Sequence, residues 1–260
     1  MNKFLLSAGT LWQREIVRFA RQRSRIIGAL GQPLLFWLLL GSGFGESFRS
    51  PGVASSSGYL EYFYPGILVM VILFTAIFAT IAVVEDRKER FLQAVLVSPA
   101  PRSAIVLGQA FGSTTLALIQ GFIFLGAAPF AGVPLTASSA IAAAAVMCLI
   151  GFMLSSLGLA FAWRMDSTQG FHSIMNLVLL PLWLLSGAVF PAMGAHPLLG
   201  WLMKINPLFY GVAALRRTLY AAEPATWEHL PGLGLSLAVT VLFGFVFFMV
   251  AVRHAGRSEG

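Results

Sequence analysis

Six stretches of this chain run for about 20 residues or more without an Asp, Glu, Lys or Arg, the length a helix needs to cross a hydrocarbon core. They are Ile26 to Gly45, Pro65 to Val84, Ser103 to Ala128, Ala137 to Trp163, Gln169 to Phe190 and Pro231 to Val252. Hydrocarbon offers backbone N–H and C=O groups no partner, so only helices and closed barrels span it. Runs this long, rich in Leu, Ala, Phe and Ile and lacking period-two alternation, read as helices. Only 10% of the residues are charged, against about a quarter in soluble domains, which excludes a soluble globule. The expected fold is an all-α polytopic membrane protein, one transmembrane domain over residues 1–260 with six transmembrane helices. The first run follows a long basic segment and has no small-residue cleavage site, so it reads as a retained anchor.

Six spans put both termini on one side. Lys3, Arg14, Arg18, Arg21, Arg23 and Arg25, then Arg87, Lys88, Arg90 and Arg102, then Arg164, Arg253 and Arg257 gather there, against Arg49, Lys204, Arg216 and Arg217 opposite. This asymmetry predicts that both termini are cytoplasmic. The basic balance is thereby an orientation signal, and no nucleic-acid partner is expected.

Little else supports an active site. No GxxxxGK[ST] loop occurs, Gly41 to Gly45 is not a dinucleotide fingerprint, and His172, His196, His229 and His254 lack the spacing of a zinc site. Cys148 stands alone and reads as a packing residue. No catalytic residue, metal or bound cofactor is expected. Uncharged spans also argue against proton coupling, so energy must come from elsewhere.

Leu5, Ala8, Trp12, Ile16 and Phe19 recur at steps of three or four, with Arg14, Arg18, Arg21 and Arg25 on the other face. Residues 1–25 therefore predict an amphipathic helix in the cytoplasmic interface. It can rest on anionic membrane lipid alone or also brace a partner through Trp12, Arg14, Arg18 and Arg21. Gly108 and Gly112 have the spacing of a close helix contact, and Pro33 and Pro181 permit either gating bends or static kinks. Trp37, Trp163, Trp183, Tyr62 and Tyr64 fall near span ends and read mostly as headgroup-belt residues.

Residues 85–102 are more specific. Glu85, Asp86, Arg87, Lys88, Glu89 and Arg90 form a near-balanced cluster leading into Phe91, Leu92 and Leu96 and closed by Ser98, Pro99 and Pro101. A docking helix would show this pattern, charge pairs orienting it while Phe91 or Leu92 fills a cleft on a soluble partner. A solvated charged turn is the plainer alternative. On the other side, residues 191–230 are too many for a structureless loop, and His196 to Ile205 is apolar but too short to span. Re-entrant or interfacial helices are expected there, with Asn206 and Pro207 at the turn and Tyr210 to Tyr220 carrying Arg216 and Arg217 near the outer surface. Those two arginines either orient that helix or meet an anionic headgroup.

The chain resembles the ABC-2 type transporter permeases, in particular the drug-resistance and nodulation-factor exporter branch. Asp86-Arg87, Phe91-Leu92, Leu96-Val97-Ser98-Pro99, Arg102 and Ile105-Val106-Leu107-Gly108 carry the likeness on the cytoplasmic side. Asn176, Pro181-Leu182, Leu185-Ser186-Gly187-Ala188, Phe190-Pro191, Pro197, Asn206-Pro207, Tyr210 and Ala214-Leu215-Arg216 carry it on the other. Members usually have glycine just before the position of Phe91, where this chain has Arg90.

The resemblance implies an exporter half. Two six-helix subunits pair, as homodimer or heterodimer, and Glu85, Asp86, Arg87, Glu89, Phe91, Leu92, Leu96, Ser98 and Pro99 couple to a separate ATP-binding subunit that holds ATP and magnesium. Ser186, Gly187, Phe190, Pro191, Asn206, Pro207, Tyr210 and Arg216 then form an outer re-entrant gate. The implied substrate is a drug, lipid or glycolipid, with polysaccharide or lipid-linked glycan as the alternative. Outside this class stand an integral membrane enzyme and a scaffold.

Overall fold

The computed structural model describes residues 3–21, 31, 33–39, 59–89, 91–92, 95, 100–191, 196–221 and 229–257, and among them no strand occurs. The helices are α1 (Lys3–Ala20), α2 (Tyr59–Ala79), α3 (Ile81–Lys88), α4 (Arg102–Gly126), α5 (Ala137–Ala162), α6 (Thr168–Leu184), α7 (Pro197–Ile205), α8 (Pro207–Leu219) and α9 (Leu233–Arg257). Most of the first expected span, 26–45, lies outside the described residues, although 33–39 are helical. Among the described residues four helices are long and apolar enough to cross a membrane, and up to five if the bent pair α7–α8 is one span.

The second span sits at the centre. Ile67 to Leu73 are all fully buried, as expected of a helix apolar on every face. Neighbouring helices approach through small residues. A Cβ on Gly158 would lie 2.7 Å from Thr80 Oγ1, and one on Gly121 2.5 Å from the Met147 methyl. Thr80, between α2 and α3, keeps helical dihedrals (φ −71°, ψ −10°) and returns its hydroxyl to Ile77 O at 2.7 Å. The two helices therefore form one 28-residue rod, Glu61–Lys88. Glu85 to Lys88, expected in a separate cytoplasmic segment, are the last turn of this rod.

Three further expectations are corrected. α6 stops at Leu184, not Phe190, because the chain turns at Gly187, whose φ of +76° suits a residue without Cβ. Its 17 residues give about 25 Å of rise, at the lower limit for a spanning helix. α1, expected to rest on lipid alone or also to brace a separate partner, lays Ala8, Leu11 and Phe19 against this chain's own helices. Added Cβ atoms on Gly108 and Gly112 would lie 2.6 Å from Ala8 O and 2.7 Å from Glu15 Cβ, so the small-residue face of α4 receives α1. Finally, Tyr62, Tyr64, Trp163 and Trp183 are buried in the core, so they form no headgroup belt. The polar tips of three of them find backbone carbonyls: Tyr64 Oη donates to Phe124 O, Trp183 Nε1 to Gly66 O at 2.8 Å and Tyr62 Oη to Gly187 O at 3.3 Å.

Candidate functional site

Two polar clusters lie at opposite ends of the rod. At its charged end, Arg14 and Arg18 are one turn apart on α1 and face Glu85 and Asp86. Arg14 holds Asp86 with both arms (Nη1–Oδ2 2.6 Å, Nη2–Oδ1 2.7 Å). Arg18 reaches Asp86 Oδ1 at 2.8 Å and Glu85 Oε2 at 2.6 Å. Asp86 is 1% exposed, and its carboxylate holds the Arg14 pKa above the ordinary guanidinium value despite partial burial. Arg87 leaves the cluster to close the end of α5, donating to Trp163 O (2.6 Å) and Met165 O (3.2 Å) and pairing with Asp166 (2.9 Å). Trp12 Nε1 donates to Thr115 Oγ1 at 3.0 Å, a second tie between α1 and α4.

The apolar pair after the cluster divides. Leu92 is 2% exposed and joins this chain's own core, whereas Phe91 is 37% exposed, its ring centroid 3.9 Å from Arg14 Cζ. Only Phe91 of the two is available to a partner. Arg14, Val17, Arg18, Arg21 and Glu89 line an adjoining open groove of about 490 Å³. Leu96, Ser98 and Pro99, the remaining residues expected in the coupling segment, lie outside the described residues, as does Arg90.

The other end is held by donors aimed at backbone carbonyls. Pro65 inside α2 has no N–H to offer Glu61 O, and Tyr220 Oη fills that place at 2.7 Å. Arg216 donates to Gly187 O (2.9 Å) and Tyr62 O (3.3 Å), with its Cζ 4.0 Å from the Tyr62 ring centroid. At 1% exposure Arg216 is buried beneath the turn after α6, a correction to its expected outer-surface position. Arg217 donates to Leu230 O (2.7 Å) and Pro231 O (2.8 Å), anchoring the start of α9. Ser186 Oγ closes back onto Trp183 O at 2.5 Å.

Asn206 works twice. Its Oδ1 accepts from Leu208 N at 2.9 Å, capping α8, and its Nδ2 donates to Leu182 O at 2.6 Å. Pro207 takes the first position of α8, so that helix starts three residues before Tyr210, and α7 and α8 meet at 85°. Tyr210 Oη donates to Lys204 O at 3.0 Å. The cavity bounded by Tyr62, Ser186, Gly187, Pro191, Arg216 and His229 measures about 10 Å³, room for one water. Phe190 and Pro191 are half-buried beside it. Of the expected outer residues, Ser186, Gly187, Pro191 and Arg216 share this cavity with Tyr62, while Asn206, Pro207 and Tyr210 belong to the turn between α7 and α8. Pro65 in the second run was the signal that a carbonyl there needs an outside donor.

The ABC-2 type transporter family profile matches residues 7–220, from α1 through α8. The chain belongs to this family. The ABC-2 chain is 25% identical to the putative transport permease ycf38 of Cyanophora paradoxa, over 95% of its own length and 88% of that protein. It is 26% identical to nodulation protein J of Neorhizobium galegae, covering 97% and 94% of the two chains. It is 22% identical to the inner membrane transport permease YadH of Escherichia coli K12, over 100% and 98%. Both polar clusters lie within or against the matched region.

Proposed function

We propose that this chain is the membrane-spanning subunit of an ATP-driven exporter in a bacterial cytoplasmic membrane, with both termini cytoplasmic. In this reading residues 26–45 and α6 complete six crossings, and α7–α8 dip into the outer leaflet and return. Phe91 docks on a separate ATP-binding subunit that holds ATP and magnesium, a second permease subunit completes the path, and a hydrophobic or amphipathic substrate crosses it. The observation that carries the reading is the rod Glu61–Lys88. At about 1.5 Å per residue it links the Asp86 cluster to Tyr62 and the Arg216 cluster over roughly 40 Å. A push at Phe91 reaches Arg14, then Asp86, then the rod, and arrives where the outer end is closed. Such rigid transmission suits a two-state carrier driven from one side.

The test is purification of tagged protein in mild detergent, with identification of any stoichiometric partner and assay of vanadate-sensitive ATP hydrolysis. A P-loop ATPase is expected with the native chain and is expected to be lost with Phe91→Asp, which buries a charge in the docking cleft. Retention of the ATPase and of coupled transport by that variant would overturn the docking role.

A further inference from the structure

The long helices differ in how far protein covers them. In the central rod 94% of an apolar 18-residue stretch is buried, and in α9 only 22%. Leu242, Phe245, Val246 and Met249 of α9 stand exposed, and so apolar a surface on a spanning helix meets hydrocarbon. On this bare side an apolar groove of about 360 Å³ opens between α5 and α9. Leu149 and Phe152 of α5 and Val241, Gly244, Phe245 and Phe248 of α9 line it.

The walls of the groove are held in place. The Phe152 ring lies between those of Phe111 and Phe248, with centroids 5.8 Å and 5.9 Å away, so rings from three helices support one another. Gly244 sets the floor, because a Cβ there would come within 3.5 Å of Met153 Cα and Phe152 Cδ1. α9 thus meets α5 closely at a residue without a side chain, and larger side chains stand around it. Thr240 adds the hydroxyl in the lining, and this donates to Ser236 O at 2.8 Å. The described wall therefore carries no charge and no free donor for a polar ligand.

Depth and size select the occupant. Thr240 and Phe248 lie about 10 and 22 Å from the Leu233 end of a helix about 37 Å long. That is the level of lipid tails in a hydrocarbon layer about 30 Å thick, away from both headgroup zones. An apolar cavity of about 150 Å³ takes a benzene ring, so on that scale 360 Å³ takes about 14 carbons, most of one acyl chain. A helix is about 10 Å across, and the same 12 Å length of one would fill more than about twice that volume.

We propose that this groove is a lipid site, in which one acyl chain of a bilayer phospholipid lies as a fixed packing element between α5 and α9. Recognition is of the chain and not of the headgroup, through dispersion contacts with the rings and methyl groups of the wall. The proposal asks only that these two helices cross the bilayer, so it stands apart from the exporter reading.

The test places the full chain in phosphatidylcholine vesicles doped with a phosphatidylcholine that carries a diazirine midway along one acyl chain. Illumination, digestion and peptide mass spectrometry locate the adducts. Adducts at Leu149, Phe152, Val241, Phe245 and Phe248 are expected to exceed those at Phe122 and Ile123, exposed positions of α4, at least about fivefold. Gly244→Leu fills the floor and is expected to abolish this excess while leaving the adducts on α4 unchanged. Val241→Trp covers the groove from its rim and gives the same reading if Gly244→Leu fails to fold. Even labelling of α4 and α9 marks passing lipid only and overturns the site, as does an excess that survives both variants. Sparse adducts in the groove, with disulfide-linked dimers through Val241→Cys in a Cys148→Ala background, assign it to a second copy and also overturn it. Greater enrichment from a diazirine placed beside the glycerol overturns the assignment to a lipid tail.

Discussion

Each end of the central rod ties down arginine, partly exposed at the charged end and buried at the other, and with different acceptors. At the charged end Arg14 and Arg18 meet the carboxylates of Glu85 and Asp86, and at the other end Arg216 meets the backbone carbonyls of Gly187 and Tyr62. The carboxylate cluster joins side chains from two elements, each of which regains hydration if the elements part. The carbonyl cluster cannot open so freely. Gly187 O lies in a tight turn with no helical donor of its own, and the carbonyl that loses its helical donor to Pro65 is Glu61 O, which Tyr220 serves. The difference teaches that a buried cation can serve either as a detachable clasp or as a plug for a break in the backbone.

The comparison breaks first at Asp86. Asp86→Ala takes the shared acceptor from two partly exposed arginines, and a loss of about 3 kcal/mol is expected. Thermal unfolding in detergent would measure it, and Glu85→Ala, at the more exposed edge of the cluster, should cost much less. Arg216→Met comes second, since it removes donors from two buried carbonyls while also removing a buried charge. A loss of roughly 2 kcal/mol is expected, with increased protease access to the chain between α8 and α9. Equal losses for Asp86→Ala and Arg216→Met would erase the distinction between clasp and plug.

Tyr220→Phe sharpens the plug side, because it deletes only the donor to Glu61 O. About 1 kcal/mol is expected, and Pro65→Ala in the same chain, by restoring a helical donor to that carbonyl, should recover part of it. The smallest effect belongs to His229. Its pKa is held below the ordinary 6.5, first by partial burial and then by Arg216 and Arg217. The unfolded chain therefore takes up its proton first on acidification. Stability from this group is fully present above about pH 6.5 and declines as pH falls through the lower folded value. A slight acid destabilisation confined to the α8–α9 end, absent in His229→Gln, is the expected result by hydrogen exchange.

Periodicity and the absence of charge were enough to establish an all-helical membrane chain, because hydrocarbon leaves the backbone so few solutions. Local chemistry likewise placed Asn206 and Pro207 between α7 and α8, and glycine spacing marked the helix contact at Gly108 and Gly112. What lay across from these residues was not legible. Gly108 and Gly112 accept α1, the aromatics near the span ends turn inward, and Arg216 goes under a turn where the sequence suggested a surface. Composition records that a side chain is apolar or charged, and in a membrane both lipid and protein satisfy an apolar face. Which of the two it meets depends on contacts between residues far apart in the chain, such as Tyr220 with Glu61 or Arg14 with Asp86. Those pairings were decided only by the tertiary structure, because each donor had to be brought to an acceptor that its own helix could not supply.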